Sequence, residues 1–76
     1  MTNDRRFLAV EKVRAEIAEI ERQAIGDVPG GLEYLAERSD TGRDIAMSAL
    51  LAGQPMKLDR WRALRMALSE LLCHSS

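Results

Sequence analysis

The chain has 76 residues, a length that accommodates one domain. Hydrophobic residues make up 46% of it, and its 11 basic and 12 acidic residues leave a net charge of -1. These values exclude a disordered segment, a strongly basic nucleic-acid carrier and an acidic tail. Aromatic residues and prolines are both scarce, which favours helices over a sandwich or a barrel. We therefore expect a single all-α domain over residues 1–76.

Three breaks rich in glycine, proline and polar residues, at 26–31, 39–42 and 53–55, divide the chain into four helical stretches. We predict helices over about residues 3–25, 32–38, 42–52 and 58–72. Gly26 is suited to end the first helix, and Thr41 with Asp44 forms a capping-box-like pair at the start of the third. The prediction is a long N-terminal pairing helix over residues 1–26 and a compact, helix-turn-helix-like three-helix part over residues 31–72.

The first helix carries a narrow apolar stripe. From Val10 to Ala24 its apolar residues recur at spacings of three and four, as in a coiled-coil seam. A helix of roughly 35 Å is longer than so small a domain needs, which favours a homodimer or another partner. The stripe can also pack on the chain's own helices, and both arrangements can hold together. The predicted interface comprises Phe7, Val10, Val13, Arg14, Ile17, Ile20, Glu21 and Ala24.

The charges beside the stripe bear on the orientation of such a pair. An antiparallel pair of these helices sets Arg14 against Glu21, which is attractive, whereas a parallel pair sets Glu16 against Glu21. Exposed pairs of this kind contribute only a few tenths of a kcal/mol each. The charges therefore favour an antiparallel dimer slightly.

Few residues are available for a disulfide, a structural metal site or catalysis. The chain has one cysteine, Cys73, and one histidine, His74, which are adjacent near its end. No intrachain disulfide can form, and a structural zinc site needs four ligands. Neighbouring residues at a chain end do not hold a catalytic geometry. We expect no enzyme activity, no metal and no cofactor, and no small-molecule substrate is evident.

The same residues bear on location. No signal peptide and no apolar stretch of 18 residues is visible. The free Cys73 fits a reducing compartment. These features predict a cytoplasmic protein that does not enter a membrane.

The second half of the chain has a recognisable order. A short helix, LEYLA at residues 32–36, precedes a polar turn, and a second helix ends SALLAG at 48–53. A proline-containing loop then leads to LDRWRALRMAL at 58–68. This order resembles the helix-turn-helix domain of Cro/CI-type phage and plasmid repressors. The resemblance implies a small DNA-binding transcriptional regulator that represses as a dimer and binds double-stranded DNA.

The resemblance also implies which side chains meet the DNA. The start of the recognition helix enters the major groove in that family. This directs Thr41, Arg43 and Ser48 toward the DNA, where Arg43 could read guanine and Ser48 could contact a base or a phosphate. Residues 39–76 carry a net charge of +1, against -2 for residues 1–38. The basic residues of the last helix, which could otherwise be a solvated face, are the predicted phosphate contacts: Lys57, Arg60, Arg62 and Arg65.

Two other functions fit the same residues. A small, nearly neutral chain with a long stripe and a Glu-rich outer face suits a helical protein-binding module. One example is a phage or mobile-element inhibitor of the anti-defence type that binds a larger host protein complex. An acidic helix face can also occupy a basic groove on a partner. The remaining possibility is a domain that only dimerises.

Overall fold

A computed structural model describes the backbone of residues 2–73 and the side chains of residues 5–73; His74 lies outside these ranges. It confirms the all-α class, since the described residues form helices joined by short connections and contain no strand. The helices are α1 (Thr2–Ile25), α2 (Gly31–Ala36), α3 (Asp40–Leu50) and α4 (Pro55–Cys73).

Local signals explain where the helices begin and end. Gly26 ends α1 in the left-handed region, at a φ of 72°, as predicted. The predicted Thr41–Asp44 capping pair is wrong, because the Ser39 hydroxyl caps α3 by accepting a hydrogen bond from the Gly42 amide at 3.2 Å. The last helix begins at Pro55 rather than 58, because proline is tolerated in the first helical turn.

The core lies where the helices meet. The contact between α1 and α4 is the most extensive between any two helices. Contacts of Lys57 with Gln23 and of Arg60 with Glu16 show that the two helices run antiparallel. Each helix contributes to the core, and Leu51 joins it directly after α3. The buried cluster consists of Ile17, Leu35, Met47, Leu51 and Trp61.

The apolar stripe of α1 packs on the chain's own helices. Val10 and Ile17 are buried, and Val13, Ile20 and Ala24 pack against the core cluster. This is one of the two arrangements that the stripe allowed. Val10 and Ile17 are therefore not accessible to a second copy while α1 is packed in this way.

The stripe does not account for every apolar residue of α1. Phe7 and Leu8 are 63% and 65% exposed near the start of the helix. Among the residues that the structure describes, no helix is both long and apolar enough to span a bilayer.

Candidate interaction site

The cationic residues predicted to bind DNA lie on different sides of α4. Lys57 and Arg60 are directed toward α1, where they donate to Gln23 at 3.2 Å and to Glu16 at 2.9 Å. Arg62 and Arg65 are instead directed toward α3. Residues two positions apart on a helix are separated by roughly 200°. The predicted phosphate contacts therefore do not form one continuous cationic face.

Arg62 is held by a network with α3. Its Nε donates to Asp44 Oδ2 at 3.0 Å, and its Nη2 donates to Asp44 Oδ1 and to Ser48 Oγ, both at 2.9 Å. Hydrogen bonding from the Arg62 guanidinium lowers the pKa of Asp44, and the same contact raises the pKa of Arg62. This two-pronged pairing fixes the geometry of both side chains. Ser48, predicted to contact DNA, also donates to Asp44 at 3.3 Å.

Arg65 links the start of α3 to the core tryptophan. Its Nη2 donates to Asp40 Oδ1 at 2.6 Å, and its guanidinium lies 5.1 Å from the centre of the Trp61 ring. The Arg65 side chain is only 21% exposed. On the other side, Trp61 Nε1 donates to Glu21 Oε2 at 3.0 Å, so this ring also joins α4 to α1. Arg65 and Glu21 therefore have structural contacts in this fold.

Arg43 contacts the end of α2. Its Nε donates to the Leu35 carbonyl at 2.9 Å and its Nη2 to the Ala36 carbonyl at 3.2 Å. The last carbonyls of a helix lack partners within the helix, so these bonds cap α2. Thr41, in contrast, is exposed on the first turn of α3. Of these two predicted DNA contacts, Arg43 is therefore bonded within the chain, whereas Thr41 is exposed.

An apolar pocket that the sequence analysis missed lies between the end of α1, the 26–30 loop, α2 and α3. Its volume is about 520 Å³. Val28, Tyr34 and Leu50 are 61%, 51% and 44% exposed around it. Its principal side chains are Ile25, Val28, Pro29, Tyr34, Ala49 and Leu50.

Glycine shapes the floor of the pocket. A Cβ at Gly31 would overlap the Ile25 side chain, so only glycine lets α2 begin this close to the end of α1. The sequence VPGG at 28–31 predicts only a break between helices. The contact of Gly31 with Ile25 depends on how α1 and α2 pack in the folded chain. The one sequence signal that could have indicated the pocket is Val28, an apolar residue within the break at 26–31.

The chemistry of the pocket is that of an apolar receptor. Its lining carries no charged side chain, and its only side-chain polar group is the Tyr34 hydroxyl. The Arg38 guanidinium lies over the Tyr34 ring, 4.1 Å from its centre. Such a pocket suits a bulky apolar side chain rather than a charged substrate. Among residues 5–73, no group of acidic, cysteine or histidine side chains is placed to hold a metal ion.

Comparison of the chain with models of protein families, with characterised proteins and with solved structures finds no match.

Proposed function

We propose that the chain is a small helical protein-binding module that receives an apolar side chain of a partner protein in the pocket between α1, α2 and α3. The observation that carries the proposal is the apolar pocket of about 520 Å³, around which Val28, Tyr34 and Leu50 remain exposed. Well-packed pockets that receive one bulky side chain supply much of the energy of protein interfaces. Exposed apolar surface on so small a domain points to a partner.

The pairing of the cations supports a protein partner. Arg60, Arg62 and Arg65 each form an ion pair with a carboxylate of the same chain. Such pairs must be opened before the guanidinium groups can neutralise phosphates. A small phage or mobile-element inhibitor that binds a larger host protein complex is the kind of module that we propose.

A substitution at the rim of the pocket tests this function. Leu50→Asp places a charge in the apolar pocket, and we expect it to weaken partner binding at least about tenfold, because the carboxylate must lose its water. Leu50 is 44% exposed and outside the buried cluster, so the fold is expected to persist. The measurement is affinity purification of the intact chain from host extract, followed by calorimetry with the protein recovered in stoichiometric amount.

Met56→Asp is the matched control. Met56 is 85% exposed on α4 and does not line the pocket. It should recover the same partner as the unmodified chain. Equal recovery by the Leu50→Asp and Met56→Asp variants, with both folded by circular dichroism, would contradict the proposal.

A second candidate function is the DNA-binding regulator. Two observations favour it: residues 37–39 alone connect α2 to α3, and Thr41 is exposed on the first turn of α3. Together they are compatible with the helix-turn-helix resemblance of residues 32–68. In this function Arg60, which is 64% exposed, exchanges Glu16 for a phosphate.

A mobility-shift assay at low salt tests this second function. Arg60→Ala should weaken DNA binding and reduce its salt dependence, since one phosphate contact is lost. Glu16→Gln should strengthen binding, because it releases Arg60 from its carboxylate. The DNA-binding function is rejected if neither the unmodified chain nor Glu16→Gln shifts a mixed duplex.

A further inference from the structure

We infer that the occupant of the pocket is Phe7 of a second copy of this chain, in a two-fold dimer whose α1 helices run antiparallel. This inference rests on the proposed function, because it names an apolar side chain that fills the same pocket; a host protein would then compete with the second copy for it. It differs from the dimer predicted from the apolar stripe, whose residues Val10 and Ile17 are buried within one chain.

The spacing of Phe7 and Ile25 along α1 supports this dimer. They are 18 residues apart on α1, or about five helical turns, so they lie on the same side of the helix about 27 Å apart. Phe7 is 63% exposed near one end, and Ile25 lines the pocket at the other. When two copies of α1 pair antiparallel, each Phe7 lies beside the partner's pocket. The two contacts are identical, so the assembly closes at two copies.

The surface between these two points is free to pair. Arg14 and Ala18 lie on the same side of α1 as Phe7, and both are exposed. The small side chain of Ala18, near the middle of the helix, permits the close helix separation of about 8–10 Å that is typical of packed pairs.

The charge distribution along α1 favours a second copy as the occupant. Residues 5–14 carry four cations and one carboxylate, for a net charge of +3, whereas residues 15–30 carry four carboxylates and one cation, for a net charge of -3, of which Glu16 is paired with Arg60 of α4. An antiparallel pair places each basic segment against the partner's acidic segment. A parallel pair would place like charges together. The chain is thus electrostatically complementary to itself in the orientation that puts Phe7 at the pocket.

Individual pairs agree with this orientation. On one flank of the line of residues from Phe7 to Ile25, Arg14 of each copy lies opposite Glu21 of the other, whose carboxylate also accepts the hydrogen bond from Trp61 of its own chain. On the other flank, Glu11 lies opposite Arg22, which also pairs with Glu19 of its own chain, so its guanidinium is shared between the two carboxylates. Both pairs require nearly the same axial register as the match between Phe7 and the Ile25–Val28 region. Each cross-pair is attractive, although exposed pairs of this type are individually weak.

The proposed dimer interface is the side of α1 from Phe7 to Ile25, and it is small. It is one helix wide and about 27 Å long, with a filled pocket at each end. This is smaller than the roughly 800 Å² per partner of a standard interface. We therefore expect weak, reversible dimerisation that depends on the concentration of the chain.

Sedimentation equilibrium of the full chain over about 1–500 µM tests the inference. Phe7→Ala should raise the dissociation constant at least about tenfold, since a buried aromatic anchor is lost. Leu8→Ala is the matched control, because Leu8 is equally exposed but about 100° away around the helix. It should change the dissociation constant by less than about threefold.

A charge exchange tests the orientation. Glu11→Lys should weaken the dimer because it places a cation opposite Arg22, and Glu11→Lys combined with Arg22→Glu should recover the affinity. A chain that stays monomeric throughout, or equal effects of Phe7→Ala and Leu8→Ala, would overturn the inference. If Leu50→Asp still abolishes capture of another protein in that case, the proposed function stands without the dimer.

Discussion

Replacement of Trp61 with alanine is expected to lower the free energy of unfolding by about 3–5 kcal/mol. The Trp61 side chain is fully buried and packs in the core cluster with Ile17, Leu35 and Met47. The core of a domain below about 70–80 residues rarely supplies more than about 3–5 kcal/mol, so the variant should be largely unfolded at room temperature. Urea denaturation followed by circular dichroism measures the effect.

Two controls separate the contributions of the ring. Trp61→Phe retains much of the apolar volume but removes the Nε1 donor to Glu21, and we expect a loss of about 1–3 kcal/mol. Met66→Ala, at a side chain that is 68% exposed on the same helix, should change stability by less than about 0.5 kcal/mol. A loss of less than about 1 kcal/mol for Trp61→Ala would show that the core is not organised around this ring.

Replacement of Arg43 with alanine is expected to cost about 1.5–3 kcal/mol of stability. The reason is that the guanidinium donates to the carbonyls of Leu35 and Ala36 at the end of α2. Helix α2 has only six residues and depends on contacts made by the rest of the chain. Thermal unfolding of the variant measures the loss.

The Arg43 series also distinguishes capping from DNA reading. Arg43→Lys retains a charge and a donor but not the two-pronged geometry, so its stability should fall between those of the parent and Arg43→Ala. Arg38→Ala is a control on the neighbouring surface, where Arg38 stacks on Tyr34 and makes a smaller contribution. If Arg43→Ala leaves stability unchanged but abolishes a DNA shift, the capping role is wrong and the recognition role is correct.

The ion pairs show why the sequence alone could not decide whether these basic residues bind DNA. Arg60 meets Glu16 across 44 positions and Arg62 meets Asp44 across 18. A basic residue on a predicted helix has the same pattern whether its partner is a phosphate or a distant carboxylate. Only the packing of α4 between α1 and α3 determines which carboxylates come within reach.

The sequence by itself determined the all-α class and the glycine that ends α1. Each of these follows from local propensity or from the helical period, which neighbouring residues fix. The start of α3 was misplaced because Ser39 and Thr41 are both suitable N-cap residues. In the structure Ser39 is the cap, and Arg43 then bonds to Leu35 and Asp44 to Arg62.

The tertiary structure alone decided what the stripe of α1 packs against, that Arg43 caps a neighbouring helix, and that Ile25, Val28 and Leu50 form one pocket. These features join residues from separate helices. The hydrophobic effect drives apolar faces together but is not directional, so periodicity identifies a face and leaves its partner open. Shape complementarity, including the close approach of Gly31 to Ile25, selects that partner and leaves the pocket uncovered.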